Sequence, residues 1–166
     1  IPEDVAATLC ELVDERGVKS AWHSNPDCIE YQIANPFSKV QRKNDEKIIS
    51  VLPDLFALGE SCMRQLNQEF TDSAYEDLTG YHGFWVLKYF EGGGFDWHCD
   101  FDSGPNGIRP PISATACVLL NDEFEGGETI LVNAGILDRK KLGVLMWDGF
   151  TQHRVAPLTS GVRYAL

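Results

Sequence analysis

Residues 89–100 read Tyr-Phe-Glu-Gly-Gly-Gly-Phe-Asp-Trp-His-Cys-Asp. Three consecutive glycines stand between two aromatic runs, which indicates a tight turn or a close approach of the backbone to another segment. His98 and Asp100 are one residue apart, so on an extended chain their side chains project from the same face. The stretch therefore predicts a glycine turn leading into a strand that presents an imidazole and a carboxylate together.

The same strand-rich character fills the second half of the chain, after Gly80. Short apolar or β-branched runs alternate with clusters of Gly, Pro, Asn and Asp, a pattern typical of an antiparallel sandwich or barrel. The predicted strands are residues 84–90, 95–99, 114–120, 129–132, 143–147, 153–156 and 162–166.

The first half is predicted to be mainly helical. Apolar residues keep helical spacing over 2–16, and Gly17 ends the run. A second helix is predicted over 53–70, with Pro53 at its start. Between them, residues 25–44 are polar and interrupted by prolines, which predicts loops and short edge strands. Helices first and strands afterwards indicate one α+β domain over 1–166, in which 1–80 supports 81–166.

Composition and charge limit the classes of partner and the cellular compartment that we expect for this protein. Lys and Arg number 14 against 25 Asp and Glu, a net charge of -11. This charge disfavours a nucleic-acid partner unless a local basic patch compensates, and it tolerates or favours a cationic peptide or a small metabolite. An acidic surface that merely keeps the domain soluble is the plainer interpretation. No apolar run is long enough to span a membrane. The five cysteines form no CxxC pair and no even set, so we expect reduced thiols and a cytoplasmic location.

A third candidate ligand, His153, lies far along the chain, just before a predicted strand. It can join His98 and Asp100 only if the sheet folds back. Two imidazoles and one carboxylate on one face of a metal ion suit non-heme Fe(II), although zinc accepts the same ligands. Each of these residues taken alone is more often an ordinary surface or hydrogen-bonded side chain, so the prediction depends on what surrounds them.

Arg163 is one of the residues around these candidate ligands that support the prediction. It lies in the apolar run Val162-Arg163-Tyr164-Ala165-Leu166, ten residues after His153. An arginine is costly to bury there unless an acceptor meets it. Because its parity is opposite to that of Val162 and Tyr164, its guanidinium could enter a barrel interior and grip a carboxylate through two hydrogen bonds.

Taken in order, these pieces resemble the prolyl 4-hydroxylase-like branch of the 2-oxoglutarate/Fe(II) dioxygenases. The resemblance covers about residues 83–166 and includes the glycine turn before His-x-Asp, the Leu-Leu-Asn and Gly-Gly-x-Thr segments, the distal histidine and the basic residue after it. It implies a double-stranded β-helix (jelly roll) with the N-terminal helices packed on one sheet. Two departures stand out: Leu119 replaces a tyrosine found in several relatives, and relatives usually continue with more strand past the basic residue.

The resemblance also implies roles. His98, Asp100 and His153 would bind Fe(II), and Arg163 would bind the distal carboxylate of 2-oxoglutarate, assisted by Tyr89 and a site-lining Thr129. With O2, and with ascorbate as a reductant, 2-oxoglutarate would become succinate and CO2 while a C–H bond is hydroxylated.

The substrate is implied less directly. Branch resemblance favours a prolyl residue in a peptide or protein, with a free amino acid or metabolite as the alternative, and a non-catalytic metal-binding β-barrel of cupin type as a further one. The loop 101–111 would overhang the metal. Trp97 could line the site, whereas Trp85 and Trp147 fit core packing better.

Overall fold

The computed structural model describes residues 1–20, 28–34, 45–69, 83–100, 114–137 and 140–166. It contains two helices, α1 (Glu3–Arg16) and α2 (Glu46–Glu69). The strands are β1 (Val18–Lys19), β2 (Cys28–Ala34), β3 (Phe84–Tyr89), β4 (Phe95–His98), β5 (Ala114–Val118), β6 (Phe124–Gly126), β7 (Thr129–Leu131), β8 (Gly135–Ile136), β9 (Val144–Asp148), β10 (His153–Val155), β11 (Leu158–Gly161) and β12 (Arg163–Ala165).

Helix α1 follows the predicted pattern. Its apolar residues at helical spacing, including Leu9 and Leu12, are fully buried. The N–H of Gly17 donates to the Val13 carbonyl at 2.8 Å and closes the last turn. A Cβ on Gly17 would lie 2.3 Å from Ile29 of β2, so only glycine lets this helix end press so closely against the sheet.

Helix α2 begins seven residues earlier than predicted, at Glu46 rather than Pro53. Asp45 caps the start of the helix. Its side-chain Oδ1 accepts a hydrogen bond from the Ile48 N–H at 3.4 Å, and its backbone carbonyl accepts one from the Ile49 N–H at 2.9 Å. Pro53 lies inside the helix. The apolar face runs through it, with Ile48 and Leu55 both buried, and this packing offsets the backbone hydrogen bond that proline cannot donate. Residue 70, the predicted end, is outside the described residues.

The larger sheet consists of four strands in the order β1-β2-β3-β12, all antiparallel to their neighbours, and of an extension beyond β12. Hydrogen bonds extend it further, from the Val118 N–H to the Leu166 carbonyl and from the Leu120 N–H to the Tyr164 carbonyl. The pair β5–β9 therefore continues the sheet beyond β12. The prediction of edge strands within 25–44 is wrong for β2, which is an interior strand of seven residues.

A second sheet has the order β4-β10-β7-β8, and β6 pairs with β11. All seven predicted strands are present within a residue or two of their expected bounds. The strands β1, β6, β8 and β11 were not predicted, because each has only two to four residues and no apolar alternation.

Two cores lie on opposite faces of the larger sheet. On one face, Tyr31 and Val86 pack against both helices. On the other, Cys28 and Tyr89 pack against Phe124 of β6 and Leu158 of β11. This arrangement confirms the α+β class with the helices packed on one sheet. No helix in the described segments is long and apolar enough to cross a membrane.

Candidate metal and cosubstrate site

The three predicted ligands meet at one point. His153 on β10 lies directly opposite His98 on β4 in the antiparallel register, and Asp100 follows two residues after His98. The Nε2 atoms of His98 and His153 are each 3.4 Å from a carboxylate oxygen of Asp100. One ligand atom from each residue lies within 4.8 Å of the other two, which is the spacing expected of donors around a single metal ion.

Backbone carbonyls fix the orientation of both imidazoles. His98 Nδ1 is 2.7 Å from the Asp96 carbonyl, and His153 Nδ1 is 3.0 Å from the Thr151 carbonyl. A carbonyl oxygen can only accept, so each Nδ1 carries a hydrogen, and in the neutral form of each imidazole Nε2 is the nitrogen that keeps its lone pair. Two lone pairs and a carboxylate then face one another, which is a fit for a divalent cation and a poor arrangement without one.

The electrostatics favour the metal-binding protonation states. Burial raises the pKa of Asp100, but the neighbouring imidazoles and the Thr115 hydroxyl outweigh burial and hold that pKa below its ordinary value. Burial lowers the pKa of His153, although Asp100 opposes this shift. A charged carboxylate and a neutral imidazole are the forms that bind metal.

Thr115 is a residue of the candidate site that sequence reasoning missed. Its Oγ1, on strand β5 of the larger sheet, donates to Asp100 Oδ2 at 2.5 Å and fixes the carboxylate of the candidate ligand set. Its only signal in the sequence is a hydroxyl among the small apolar residues of a predicted strand, which does not reveal its partner.

Asp148 was missed as well. Its carboxylate accepts from the Phe150 N–H at 2.9 Å and from the Thr151 hydroxyl at 2.8 Å. These bonds shape the turn between β9 and β10, and the same Thr151 offers its carbonyl to His153. The turn therefore presents the distal histidine in a fixed rotamer.

The three-glycine stretch makes the close backbone approach that the sequence predicted. A Cβ on Gly94 would lie 2.7 Å from the Val155 carbonyl. The N–H of Gly92 donates to the Leu158 carbonyl, and the N–H of Leu158 donates to the Gly93 carbonyl. The turn is thus anchored to the segment that follows β10, so the entry to β4 and the exit from β10 are held together beside the ligands.

Arg163 enters the interior as its parity predicted. It is 2% exposed, its Nη2 donates to Thr129 Oγ1 at 3.3 Å, and its Cζ lies 5.1 Å from the centre of the Tyr89 ring. Tyr89 is its register partner across β3–β12, and burial raises the pKa of the Tyr89 hydroxyl, which therefore stays protonated. The structure thus brings Arg163, Tyr89 and Thr129 together.

The guanidinium is incompletely satisfied. Within the described segments, its Nε has no hydrogen-bond partner and no protein carboxylate lies within 4 Å of the guanidinium. A buried cation without a counter-charge is costly, so the arrangement suits an anionic ligand with a carboxylate.

Neighbouring residues shape the space for this arginine. Gly127 has a φ of 66°, and a Cβ there would lie 3.2 Å from Arg163 Cδ and 2.8 Å from Leu158. Asn121 donates to the Val162 carbonyl at 2.7 Å and accepts from the Tyr164 N–H at 2.8 Å. Asn121 thereby fixes the backbone on both sides of Arg163. Leu119, at the position of the relatives' tyrosine, packs in the core with Tyr89.

The three candidate tryptophans have different surroundings. Trp147 is buried against His153, with ring centres 4.8 Å apart. Trp97 is 47% exposed and lies against Arg154 instead of the ligands. Trp85 is half-buried and pairs with Gln32 on β2. The predicted covering loop, 101–111, lies outside the described residues.

Comparison with known proteins agrees with this geometry. No family model matches the chain. A PKHD-type hydroxylase of Parvibaculum lavamentivorans is 29% identical over 99% of the chain and 74% of its own length. A PKHD-type hydroxylase of Pseudomonas aeruginosa is 31% identical over 89% of the chain and 66% of its own length. The chain belongs to the 2-oxoglutarate/Fe(II)-dependent dioxygenases.

Solved structures of the family have the same fold. A Pseudomonas putida prolyl-4-hydroxylase matches with a TM-score of 0.64 at 14% identity, covering 99% of this chain and 84% of that one. The viral collagen prolyl hydroxylase of Paramecium Bursaria Chlorella virus-1, solved with 2-oxoglutarate, matches with a TM-score of 0.65 at 16% identity. The match covers 99% of this chain and 88% of the viral chain. These structures confirm the predicted double-stranded β-helix, and the PKHD-type hydroxylases among the sequence relatives bear out the predicted resemblance to the prolyl 4-hydroxylase-like dioxygenases.

Proposed function

We propose that this dioxygenase hydroxylates a prolyl residue in a peptide or protein while it converts 2-oxoglutarate and O2 to succinate and CO2. In this proposal residues 1–166 act as one oxygenase domain, with 1–80 supporting the site in 81–166. The five cysteines are all free thiols, which fits a reducing compartment, and we propose a cytoplasmic location.

We assign the metal to His98, Asp100 and His153. Three ligands leave positions open for a cosubstrate and for O2, as ferrous oxygenases require. Bound Fe(II) would supply the oxygen activation, with ascorbate as a reductant that keeps the metal ferrous. The chain holds the three donor atoms, keeps both Nε2 lone pairs free, and keeps the Asp100 carboxylate charged.

The single observation that carries the proposal is the buried and incompletely paired guanidinium of Arg163. Its fork can hold the distal carboxylate of 2-oxoglutarate through two hydrogen bonds, with Thr129 and Tyr89 beside it. A metal-binding barrel without catalysis has no need of such a cation. This pairing of a metal site with an anion site distinguishes an oxygenase from a storage or interaction module.

The substrate class rests on the branch and on charge. Two structural neighbours are described as prolyl hydroxylases, one of them a collagen prolyl hydroxylase. The net charge of -11 favours a cationic or neutral peptide over a polyanion. A free amino acid would use the same metal and cosubstrate contacts, so it is the alternative that the substrate experiment must separate.

The first experiment measures succinate formed from 2-oxoglutarate with Fe(II) and ascorbate, in the presence of proline-containing peptides or an amino-acid panel. We expect coupled hydroxyproline formation with a peptide, and loss of turnover in His98→Ala, Asp100→Ala and His153→Ala while the fold remains. Robust hydroxylation of a free amino acid with no hydroxyproline in any peptide would overturn the substrate proposal.

The second experiment tests the proposed contact between Arg163 and the distal carboxylate of 2-oxoglutarate. Arg163→Leu should raise the KM for 2-oxoglutarate at least a hundredfold, because it removes a charged, bidentate contact. Arg163→Lys should do so less, since lysine keeps the charge and loses the fork. Tyr89→Phe should act in the same direction with a smaller effect. An unchanged KM in Arg163→Leu would show that the guanidinium does not bind the cosubstrate.

A further inference from the structure

Trp147 has a buried donor without an acceptor. The residue is 7% exposed on β9, and its indole Nε1 has no hydrogen-bond partner in the described part of the chain. Buried polar groups in native proteins nearly always find a partner. A buried N–H left open beside a ligand-binding site therefore points to an acceptor that arrives with the ligand.

The strand register places this donor at the metal end of the site. Trp147 lies opposite Thr115 across the β5–β9 pair, so both side chains are on one face of the sheet. The Thr115 hydroxyl on that face reaches Asp100, and the Trp147 ring centre lies 4.8 Å from that of His153. Trp147 thus contacts one metal ligand and neighbours the support of another.

The two candidate metal ligands on this side of the site, His153 and Asp100, already have hydrogen-bond partners. An indole N–H can only donate. His153 Nδ1 already donates to the Thr151 carbonyl, and its Nε2 faces Asp100. Asp100 Oδ2 already accepts from Thr115. An acceptor supplied by a molecule bound at the metal would satisfy the indole.

We propose that Trp147 is a cosubstrate-binding residue whose Nε1–H donates to a carboxylate oxygen at the metal-binding end of 2-oxoglutarate. The inference rests on the proposed function and deepens it: Arg163 holds one end of the cosubstrate and Trp147 recognises the other. A carboxylate is the natural acceptor here, because hydrogen bonds to a charged partner in a buried site are stronger than those between neutral groups.

Calorimetric titration of 2-oxoglutarate into the Mn(II)-loaded protein tests the contact without turnover. Trp147→Phe keeps an aromatic ring against His153 and removes the N–H. We expect its Kd for 2-oxoglutarate to rise about tenfold, as for loss of one hydrogen bond to a charged group, while the Kd for Mn(II) alone stays within about twofold. Trp97→Phe is the matched control, since that ring lies against Arg154, and it should leave both constants unchanged.

A second measurement uses the wild-type chain and does not depend on the variant folding. In the diamagnetic Zn(II)-loaded protein, the 15N–1H resonance of the Trp147 indole should move downfield as 2-oxoglutarate saturates the site, while that of Trp97 stays in place. Equal cosubstrate affinity in Trp147→Phe and wild type, or an indole resonance that does not move, would overturn the inference. A tenfold loss of Mn(II) affinity without cosubstrate would also overturn it, because the indole would then serve the metal.

These outcomes separate the inference from the proposed function. If the wild-type metal-loaded protein binds no 2-oxoglutarate, the proposed function fails and the inference fails with it. If the wild type binds it and Arg163→Leu does not, the proposed function stands, and the Trp147 results alone decide the inference.

Discussion

Thr115 and Asp100 form the shortest polar contact of the proposed metal site, 2.5 Å between Oγ1 and Oδ2. We predict that Thr115→Val, which keeps the shape and removes the donor, weakens Mn(II) binding about tenfold or more, as is usual for the loss of a group that orients a metal ligand. Thr115→Ser should retain most of the affinity because it keeps the hydroxyl. Metal titration by calorimetry measures both.

The exposed Thr159 on β11 provides the control for this experiment. Thr159→Val makes the same chemical change away from the site and should leave Mn(II) affinity unchanged. Equal affinities in Thr115→Val and wild type would show that the carboxylate is oriented without this hydroxyl.

At the scale of single residues, the sequence predicts those features that depend on the alternation of side chains along a strand and on the order of motifs in the chain. His98 and Asp100 share a face because they are one residue apart, and the opposite parity of Arg163 indicated an interior position. Thr115 could not be found this way. Its partner is fifteen residues away, and only the packing of the larger sheet against the ligand strands brings the two side chains together.

At the scale of elements, a charged network fastens α1 to the larger sheet. Lys88 Nζ of β3 lies 2.6 Å from Asp14 Oδ1, and the Tyr164 hydroxyl donates to the same carboxylate at 3.0 Å. Burial lowers the pKa of Lys88, but Asp14 and Tyr164 outweigh burial and raise that pKa above its ordinary value of 10.5. The network therefore connects the helix to two strands through one partly exposed carboxylate.

This network predicts a loss of stability in alkali. Because the folded pKa of Lys88 is raised, its contribution is fully present below pH 10.5 and disappears as the pH rises through the folded value. Lys88→Met should lower the free energy of unfolding at pH 7 by about 0.5–1 kcal/mol, a value discounted for solvent screening, and should flatten the fall above pH 10. Urea unfolding curves between pH 7 and 11 measure both effects.

Lys141→Met is the matched control, because among the described residues the ion pair of Lys141 is a long, exposed contact of 3.8 Å with Glu3. Its unfolding curves should follow those of the wild type at every pH. An alkaline fall in Lys88→Met as steep as in the wild type would assign the effect to other groups.

The elements also show why some bounds escaped prediction. Pro53 was placed at the start of α2 because proline favours the first turn, yet the helix begins at Glu46. The packing of Ile48 and Val51 in the core decided this, and such packing is a tertiary effect. Similarly, β2 follows a polar, proline-containing segment, and only its pairing with β1 and β3 makes it an interior strand.

At the scale of the whole molecule, the proposed metal site connects strands that are far apart in the chain. His98 ends β4 and His153 begins β10, and these strands pair in the second sheet. A metal ion that binds all three ligands binds only the folded chain. We predict that Mn(II) at about 100 times its Kd raises the free energy of unfolding by about 2.7 kcal/mol, measured by urea denaturation with and without the metal.

His153→Ala should show no such increment, because removing one of three ligands weakens binding sharply. Arg163→Leu, which leaves the metal ligands intact, should keep the increment. A similar metal-dependent gain in His153→Ala would mean that Mn(II) stabilises the fold from elsewhere on the protein.

The fold class of the whole molecule was predictable from the sequence, but the pairing of its strands was not. Helices before strands gave α+β, and the order of motifs indicated the jelly roll. The insertion of β12 between β3 and the segment after β5 was not predicted, because pairing between distant segments leaves no trace in local periodicity. That insertion places Arg163 in register with Tyr89.

The position of β12 also has a consequence for synthesis on the ribosome. Residues 163–165 occupy an interior place in the larger sheet, yet they are made after every other strand described here. Until they emerge, β3 has an open hydrogen-bonding side and Tyr89 lacks its guanidinium neighbour. The last proposed metal ligand, His153, is thus synthesised ten residues ahead of Arg163, and until β12 pairs, the open side of β3 is where a chaperone would find an unpaired strand.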